Sequence, residues 1–215
     1  MTDERRAERV SRRWPLISGA GSIALALLLG LVVTLRGAEN LEVDAEWMEE
    51  LVEHRSPWWE LPSLVMNFVG GGWFGVFVVP LATIGILLFM RRKWGALYYA
   101  IAAALSAGVV QALKHLFGRA RPEEILISSD FGSFPSGHVA NAATIAVALG
   151  ILFPRLWVCL AGAAYVALML LSRTYLGAHW LTDTIGGLLL GSAVAVIVWA
   201  PFAEKLAVEW NARKR

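Results

Sequence analysis

The sequence has few of the residues used for thiol or metal chemistry. Its 215 residues include one cysteine, Cys159, and four histidines. A single cysteine excludes an internal disulfide, and its place in an apolar run predicts packing rather than catalysis. The histidines lie far apart in the sequence, without the short spacings of a metal site. The sequence therefore predicts neither a metal nor any other cofactor.

Charged residues are also scarce. They make up 17% of the chain, against 57% apolar residues, which argues against a soluble globule. Most of the uncharged apolar runs approach the roughly 20 residues that cross a bilayer. We find no repeat or linker, so residues 1–215 are predicted to form one all-α domain, a six-span transmembrane bundle without a nucleic-acid partner. The predicted spans are Leu16–Leu35, Leu64–Met90, Trp94–Leu113, Val139–Phe153, Leu156–Leu171 and Thr184–Phe202.

Basic residues are distributed unevenly along this arrangement. Thirteen of the 19 lysines and arginines fall on one side of the predicted bundle. They are Arg5, Arg6, Arg9, Arg12, Arg13, Arg91, Arg92, Lys93, Arg155, Lys205, Arg213, Lys214 and Arg215. Because cytoplasmic loops are rich in lysine and arginine, both termini, with basic tails at 1–14 and 203–215, are predicted to be cytoplasmic.

The first outer loop, residues 36–63, is acidic. Its carboxylates alternate with apolar residues, and the pair Trp58 and Trp59 follows. This pattern predicts a short amphipathic helix on the outer leaflet with aromatic anchors. A solvated loop is the alternative interpretation.

Three short segments contain several polar and charged residues within a part of the chain that is otherwise mostly apolar. They are KHLFGRARP (114–122), PSGH (135–138) and SRTYLGAHWLTD (172–183), and all three fall on the predicted outer side. The spacing within the segments and their order match the three-part signature of the type 2 phosphatidic acid phosphatase (PAP2) family. That signature reads Lys-x6-Arg-Pro, then Pro-Ser-Gly-His, then Ser-Arg-x5-His-x3-Asp. The chain thus resembles the membrane-bound lipid phosphatases of that family.

The residues in these segments suit phosphate chemistry. Lys114, Arg121 and Arg173 can neutralise phosphate oxygens, and the arginines can do so through two hydrogen bonds. Ser136 stands where a helix N-cap is expected and Gly137 follows it, so the backbone N–H groups there would also bind an anion. His179 and Asp183 are four residues apart, which predicts a shared helix face. The carboxylate would then orient the imidazole, as in a catalytic triad.

The family resemblance implies a role for each histidine. His179 would be the nucleophile that forms a phosphohistidine, Asp183 would orient it, and His138 would protonate the leaving group and then activate water. His115 and Arg119 lie in the first motif outside its matching positions, and we expect both to contact the surface or lipid headgroups.

Three functions remain open from the sequence. The leading one is an inner-membrane phosphatase acting at the periplasmic or extracellular face on a lipid phosphate or pyrophosphate. The resemblance suggests undecaprenyl pyrophosphate, phosphatidylglycerol phosphate or phosphatidate as substrates. A lipid-to-lipid phosphotransferase would use the same residues. A lipid-phosphate-binding or transporting protein would not need His138, His179 and Asp183 together.

Overall fold

The computed structural model describes residues 3–37 and 40–212, with side chains from residue 13 onward. Within these ranges the chain is helical, with loops between the helices and no strand. The helices are α1 (Asp3–Leu35), α2 (Glu42–Glu53), α3 (Pro57–Gly70), α4 (Val79–Phe89), α5 (Lys93–Phe117), α6 (Gly137–Leu152), α7 (Leu156–Tyr175) and α8 (Leu181–Ala212), with a π-helical turn at Phe74–Val78 before α4.

Four of the described helices are long and apolar enough to cross a bilayer: α1 from Arg13 onward, α5, α7 and α8. The bent pair formed by α3 and the Phe74–Phe89 helix makes a fifth candidate. Large apolar side chains cover much of the exterior; Phe89, for example, is 90% exposed. The chain is therefore a multi-pass membrane protein. The predicted fourth span, α6, has only 16 residues, and its crossing stays a prediction.

The predicted span Leu64–Met90 is not one straight helix. It divides after Gly70 into two helices bent by 50°. Gly71 is extended, and Gly72 has a φ of 55°, a left-handed conformation that favours glycine. Hydrophobicity predicted the length of this segment, but the consecutive glycines determine where the helix is interrupted.

The acidic segment contains a helix, α2, whose position on the outer leaflet stays a prediction. The loop is shorter than the predicted 36–63, because α3 already begins at Pro57, with proline in the first turn of the helix. Two residues one turn apart on α2, Asp44 and Met48, are buried. This face of α2 packs on the bundle.

The two ends of the bundle hold different residues. At one end, the turns before α5 and after α6 meet, where Arg92 donates a hydrogen bond to the Leu152 carbonyl oxygen over 2.6 Å. Near the end of α8, the Glu209 carboxylate accepts hydrogen bonds from the backbone N–H groups of Trp94 and Gly95. The three motifs lie at the opposite end.

Glycines on α8 bring the second and third motifs together. A Cβ on Gly191 would lie 2.1 Å from the Ala140 carbonyl oxygen, and one on Gly187 would lie 2.4 Å from that of Ser136. Only glycine permits so close an approach of two backbones. The Ser136 N–H consequently donates a hydrogen bond to the Asp183 carbonyl oxygen over 2.9 Å.

Candidate active site

The first motif spans the end of α5 and the loop that follows. Gly118 has a φ of 54° and ends the helix, with its N–H donating to the Lys114 carbonyl oxygen. This left-handed C-terminal glycine turns the chain away from the helix axis. Lys114 therefore lies buried in the last turn of α5, while Arg121 lies outside the helix, as the following proline predicted.

Lys114 and Arg121 converge on one anionic group, the carboxylate of Asp130. The Lys114 ammonium donates to both carboxylate oxygens over 3.0 and 3.1 Å, and Arg121 Nη2 donates to Oδ1 over 2.7 Å. Burial acts to raise the pKa of Asp130, but the hydrogen bond and charge of Lys114 and the charge of Arg121 outweigh it and lower the pKa. Two cations thus already bind one acidic oxygen, an arrangement that would also suit a phosphate oxygen.

His179 lies between the first and third motifs. Its Nε2 is 3.5 Å from Arg121 Nη1, and its Nδ1 is 3.5 Å from Asp183 Oδ2. Burial, followed by the charges of Arg173 and Arg121, holds the pKa of His179 well below its ordinary value. The lowered pKa favours the neutral imidazole, the form in which a ring nitrogen has a free lone pair.

The prediction that His179 and Asp183 share a helix face was wrong in its local geometry. α8 begins at Leu181, so His179 lies in the turn before it. Gly177 in this turn has a φ of 64°, which redirects the chain after α7. The two side chains still approach each other, because Asp183 Oδ2 accepts a hydrogen bond from the neighbouring Trp180 N–H and lies 3.5 Å from His179 Nδ1.

His138 opens α6 and packs against the break between α3 and the π-helical turn. Its Nε2 lies 3.1 Å from the Asn67 carbonyl oxygen. A Cβ on Gly71 would come within 2.1 Å of the same nitrogen, so a side chain at position 71 would displace the ring. The glycines that break the predicted span thereby make room for His138.

Arg173 and Ser136 present polar atoms that lack a partner within the described residues. Arg173 is 2% exposed and donates one hydrogen bond to Asn67 Oδ1, whereas its Nε has no acceptor. Ser136 immediately precedes α6, but its buried hydroxyl caps no N–H group and is also unpaired. Buried polar groups are normally paired, so both atoms are available to a ligand.

Arg119 corrects one prediction. It is buried instead of contacting the surface or headgroups, and its Nη1 donates to Asp183 Oδ1 over 2.6 Å. Its Nη2 donates to Asp44 Oδ2 over 2.7 Å. Asp44 is a carboxylate on the otherwise apolar face of α2, and this position in the sequence was the one indication that it is buried. His115 is exposed as expected and stacks on Phe131.

A cavity of about 880 Å³ lies beside part of this site. Lys114, His138, Arg173 and His179 line it, together with Gly137 at the start of α6. From there the cavity continues between α4 and α5 along apolar walls that include Leu81 and Ala103. Cationic groups, two imidazoles and a helix N-terminus at one end of an apolar cavity suit a phosphate attached to an apolar body.

Comparison with known proteins agrees with this site. Residues 95–206 match the family model of the PAP2 superfamily, and the chain belongs to that superfamily. YbjG of Escherichia coli, provisionally named an undecaprenyl-diphosphatase, is 34% identical over 61% of this chain and 71% of its own. The lipid A 1-phosphatase of Rhizobium johnstonii is 27% identical over 96% of this chain and 95% of its own.

A solved structure shares the fold. The PAP2-type phosphatidylglycerolphosphate phosphatase of Bacillus subtilis superposes with a TM-score of 0.71 and 27% sequence identity. The match covers 86% of this chain and 96% of the Bacillus chain.

Proposed function

We propose that this chain is a membrane phosphatase that hydrolyses a lipid phosphate or lipid pyrophosphate through a phosphohistidine on His179. The observation that carries the proposal is the convergence of Lys114, Arg173, His138 and His179 at one end of an apolar cavity, with Arg121 next to His179. The names of the relatives support this substrate class, since each names a lipid phosphate or diphosphate.

In the first step, Nε2 of neutral His179 attacks phosphorus and the bond to the leaving oxygen breaks. Lys114, Arg121 and Arg173 neutralise the phosphate oxygens, aided by the Ser136 hydroxyl and the N–H groups at the start of α6. Asp183 stabilises the positive charge that develops on the imidazole. His138 gives a proton to the leaving oxygen, and the protonated form that this requires is favoured by the negative charge of the bound phosphate.

In the second step, water attacks phosphorus and the bond to Nε2 breaks. His138, now neutral, takes the proton from the water, so both histidines return to their starting states. No step requires a metal, because the cationic side chains neutralise the phosphate.

Phosphate release from lipid phosphates tests this proposal. Purified protein in detergent should release inorganic phosphate from at least one of undecaprenyl pyrophosphate, phosphatidylglycerol phosphate, lipid A phosphate and phosphatidate, and EDTA should leave the rate unchanged. No release from any of the four would favour a lipid-phosphate-binding protein. A rate that falls with EDTA and returns with magnesium would contradict the mechanism.

We further propose six spans, with both termini cytoplasmic and the site on the periplasmic or extracellular face of the inner membrane. The bent α3–α4 pair would count as one span, and α6 as a short one of about 24 Å. Arg92, Lys205 and the basic residues beside them in the sequence lie at the end of the bundle opposite the motifs. Because cytoplasmic loops are rich in lysine and arginine, these residues support this orientation. The amphipathic α2 would then lie at the outer surface.

Single cysteines introduced at Ser129 and Asn211 check this orientation. Both positions are exposed, and Cys159→Ala removes the native thiol. An impermeant maleimide should label S129C in intact cells and should label N211C only after the cells are opened. Labelling of N211C from outside would overturn the topology.

A further inference from the structure

Asp183 does not act on His179 alone, because it is the middle member of a buried chain of charges. Arg119 donates to Asp183 Oδ1, while Asp183 Oδ2 accepts the Trp180 N–H over 2.9 Å and faces His179 Nδ1. The Asp183 side chain is completely buried and that of Arg119 is 6% exposed. Without Arg119, a buried carboxylate would lose its cationic partner and would tend to take up a proton.

Arg119 is in turn fixed by a residue far from the three motifs. Asp44 of α2 accepts a hydrogen bond from Arg119 Nη2, and it also accepts hydrogen bonds from the Thr182 N–H over 2.9 Å and the Thr182 hydroxyl over 2.6 Å. The Asp44 side chain is completely buried. Asp44 therefore holds the guanidinium and the first turn of α8 in one arrangement, with Asp183 one residue beyond Thr182.

The charges in this chain decide what Asp44 contributes. A guanidinium paired with Asp183 alone would cancel the negative charge that Asp183 presents to the imidazole. With two carboxylates around one guanidinium, the group retains a net negative charge, which favours the positive charge that develops on His179 during attack. Arg119 favours the ionised form of Asp183, and Asp44 offsets the positive charge of Arg119.

We propose that Arg119 and Asp44 are positioning residues for the nucleophile, acting through Asp183. Asp44 lies outside residues 95–206, the segment that matches the PAP2 superfamily, so α2 becomes part of the functional site. The proposal rests on the function proposed above, because it assigns a role in forming the phosphohistidine.

The test compares Arg119→Ala, Arg119→Lys and Asp44→Asn with a matched control, Arg55→Ala. Arg55 also ties the outer segments together, since it donates to the Glu124 carbonyl oxygen over 2.7 Å, but it does not contact Asp183. The measurements are kcat and KM for phosphate release and the rate of phosphohistidine formation in a single turnover. Gel filtration and thermal unfolding in detergent report folding.

We expect Arg119→Ala to lower kcat and the rate of phosphohistidine formation by about 100-fold, the upper range for partners that orient a functional histidine, with little change in KM. Asp44→Asn should lower both by about 10-fold, and Arg119→Lys should retain part of the activity that Arg119→Ala loses. Combining Asp44→Asn with Arg119→Ala should cost no more than Arg119→Ala alone. Arg55→Ala should stay within about twofold of the unaltered protein.

Other outcomes would overturn the inference. These are unchanged rates in Arg119→Ala, a loss confined to KM, an equal loss in Arg55→Ala, or fully additive losses in the double variant. If Arg119→Ala does not fold, the folded Arg119→Lys and Asp44→Asn variants decide by the same criteria. An unaltered protein that forms no phosphohistidine contradicts the proposed function as well, whereas an active one with unaffected variants contradicts this inference alone.

Discussion

Replacing His179 with alanine is expected to lower lipid phosphatase activity by about 10⁴-fold or more and to remove the phosphoenzyme. The size of the effect follows from the role, since loss of a covalent nucleophile removes the whole reaction path. Cations that remain in the site would bind the substrate but could not accept the phosphoryl group. This variant should therefore still bind the substrate although it no longer hydrolyses it.

The measurement uses a lipid labelled in the phosphoryl group that is transferred. Samples quenched in base should retain label on the unaltered protein, because phosphohistidine survives base and is lost in acid. His115→Ala is a matched control, since this exposed histidine stacks on Phe131 and does not line the cavity. It should keep its activity within about twofold. A base-stable phosphoenzyme in His179→Ala would show that another residue is the nucleophile.

The residues that the sequence singled out lie together in the structure, but several of their contacts were not predicted. Long apolar helices hold all three motifs at one end of the bundle, so that Lys114, Arg173, His138 and His179 line one cavity and Arg121 and Asp183 lie next to His179. Hydrophobic length and motif order suffice for that level of prediction. They do not specify the turn at Gly177 that places His179 before α8.

Contacts between residues distant in the sequence were not predictable from it. Arg119 was expected at the surface or among headgroups, because local composition does not show whether an arginine between α5 and α6 is buried. Its carboxylate partners, Asp44 and Asp183, are 75 and 64 residues away. The break after Gly70 was missed for a related reason, since apolar runs report length in the membrane and not the direction of the backbone.

The second large effect distinguishes the role of His138 from that of His179, because it depends on the chemistry of the leaving group. If His138 is the acid, its contribution depends on how basic the departing oxygen is. An alkoxide leaving from a phosphomonoester is strongly basic and needs a proton. A lipid monophosphate leaving from a pyrophosphate has a second pKa of about 6 and departs without one.

His138→Ala should consequently reduce kcat/KM by about 10³-fold for a lipid monophosphate and by only about 10-fold for the pyrophosphate of the same lipid. The ratio kcat/KM is the appropriate measure, because it reports only the steps up to phosphoenzyme formation. The later attack of water, which is common to both substrates, does not affect it. With the pyrophosphate, the variant should also accumulate phosphohistidine, since the base for water has been lost.

Asn141→Ala is the control for a general disturbance at this position. Asn141 lines the same cavity less than one turn after His138 and donates to the carbonyl oxygens of Gly70 and Gly75, but its amide cannot act as an acid. Its loss should therefore affect the two substrates by similar factors. Equal losses on both substrates in His138→Ala would assign His138 to positioning the phosphate, and the proton for the leaving oxygen would then have to come from elsewhere in the cavity.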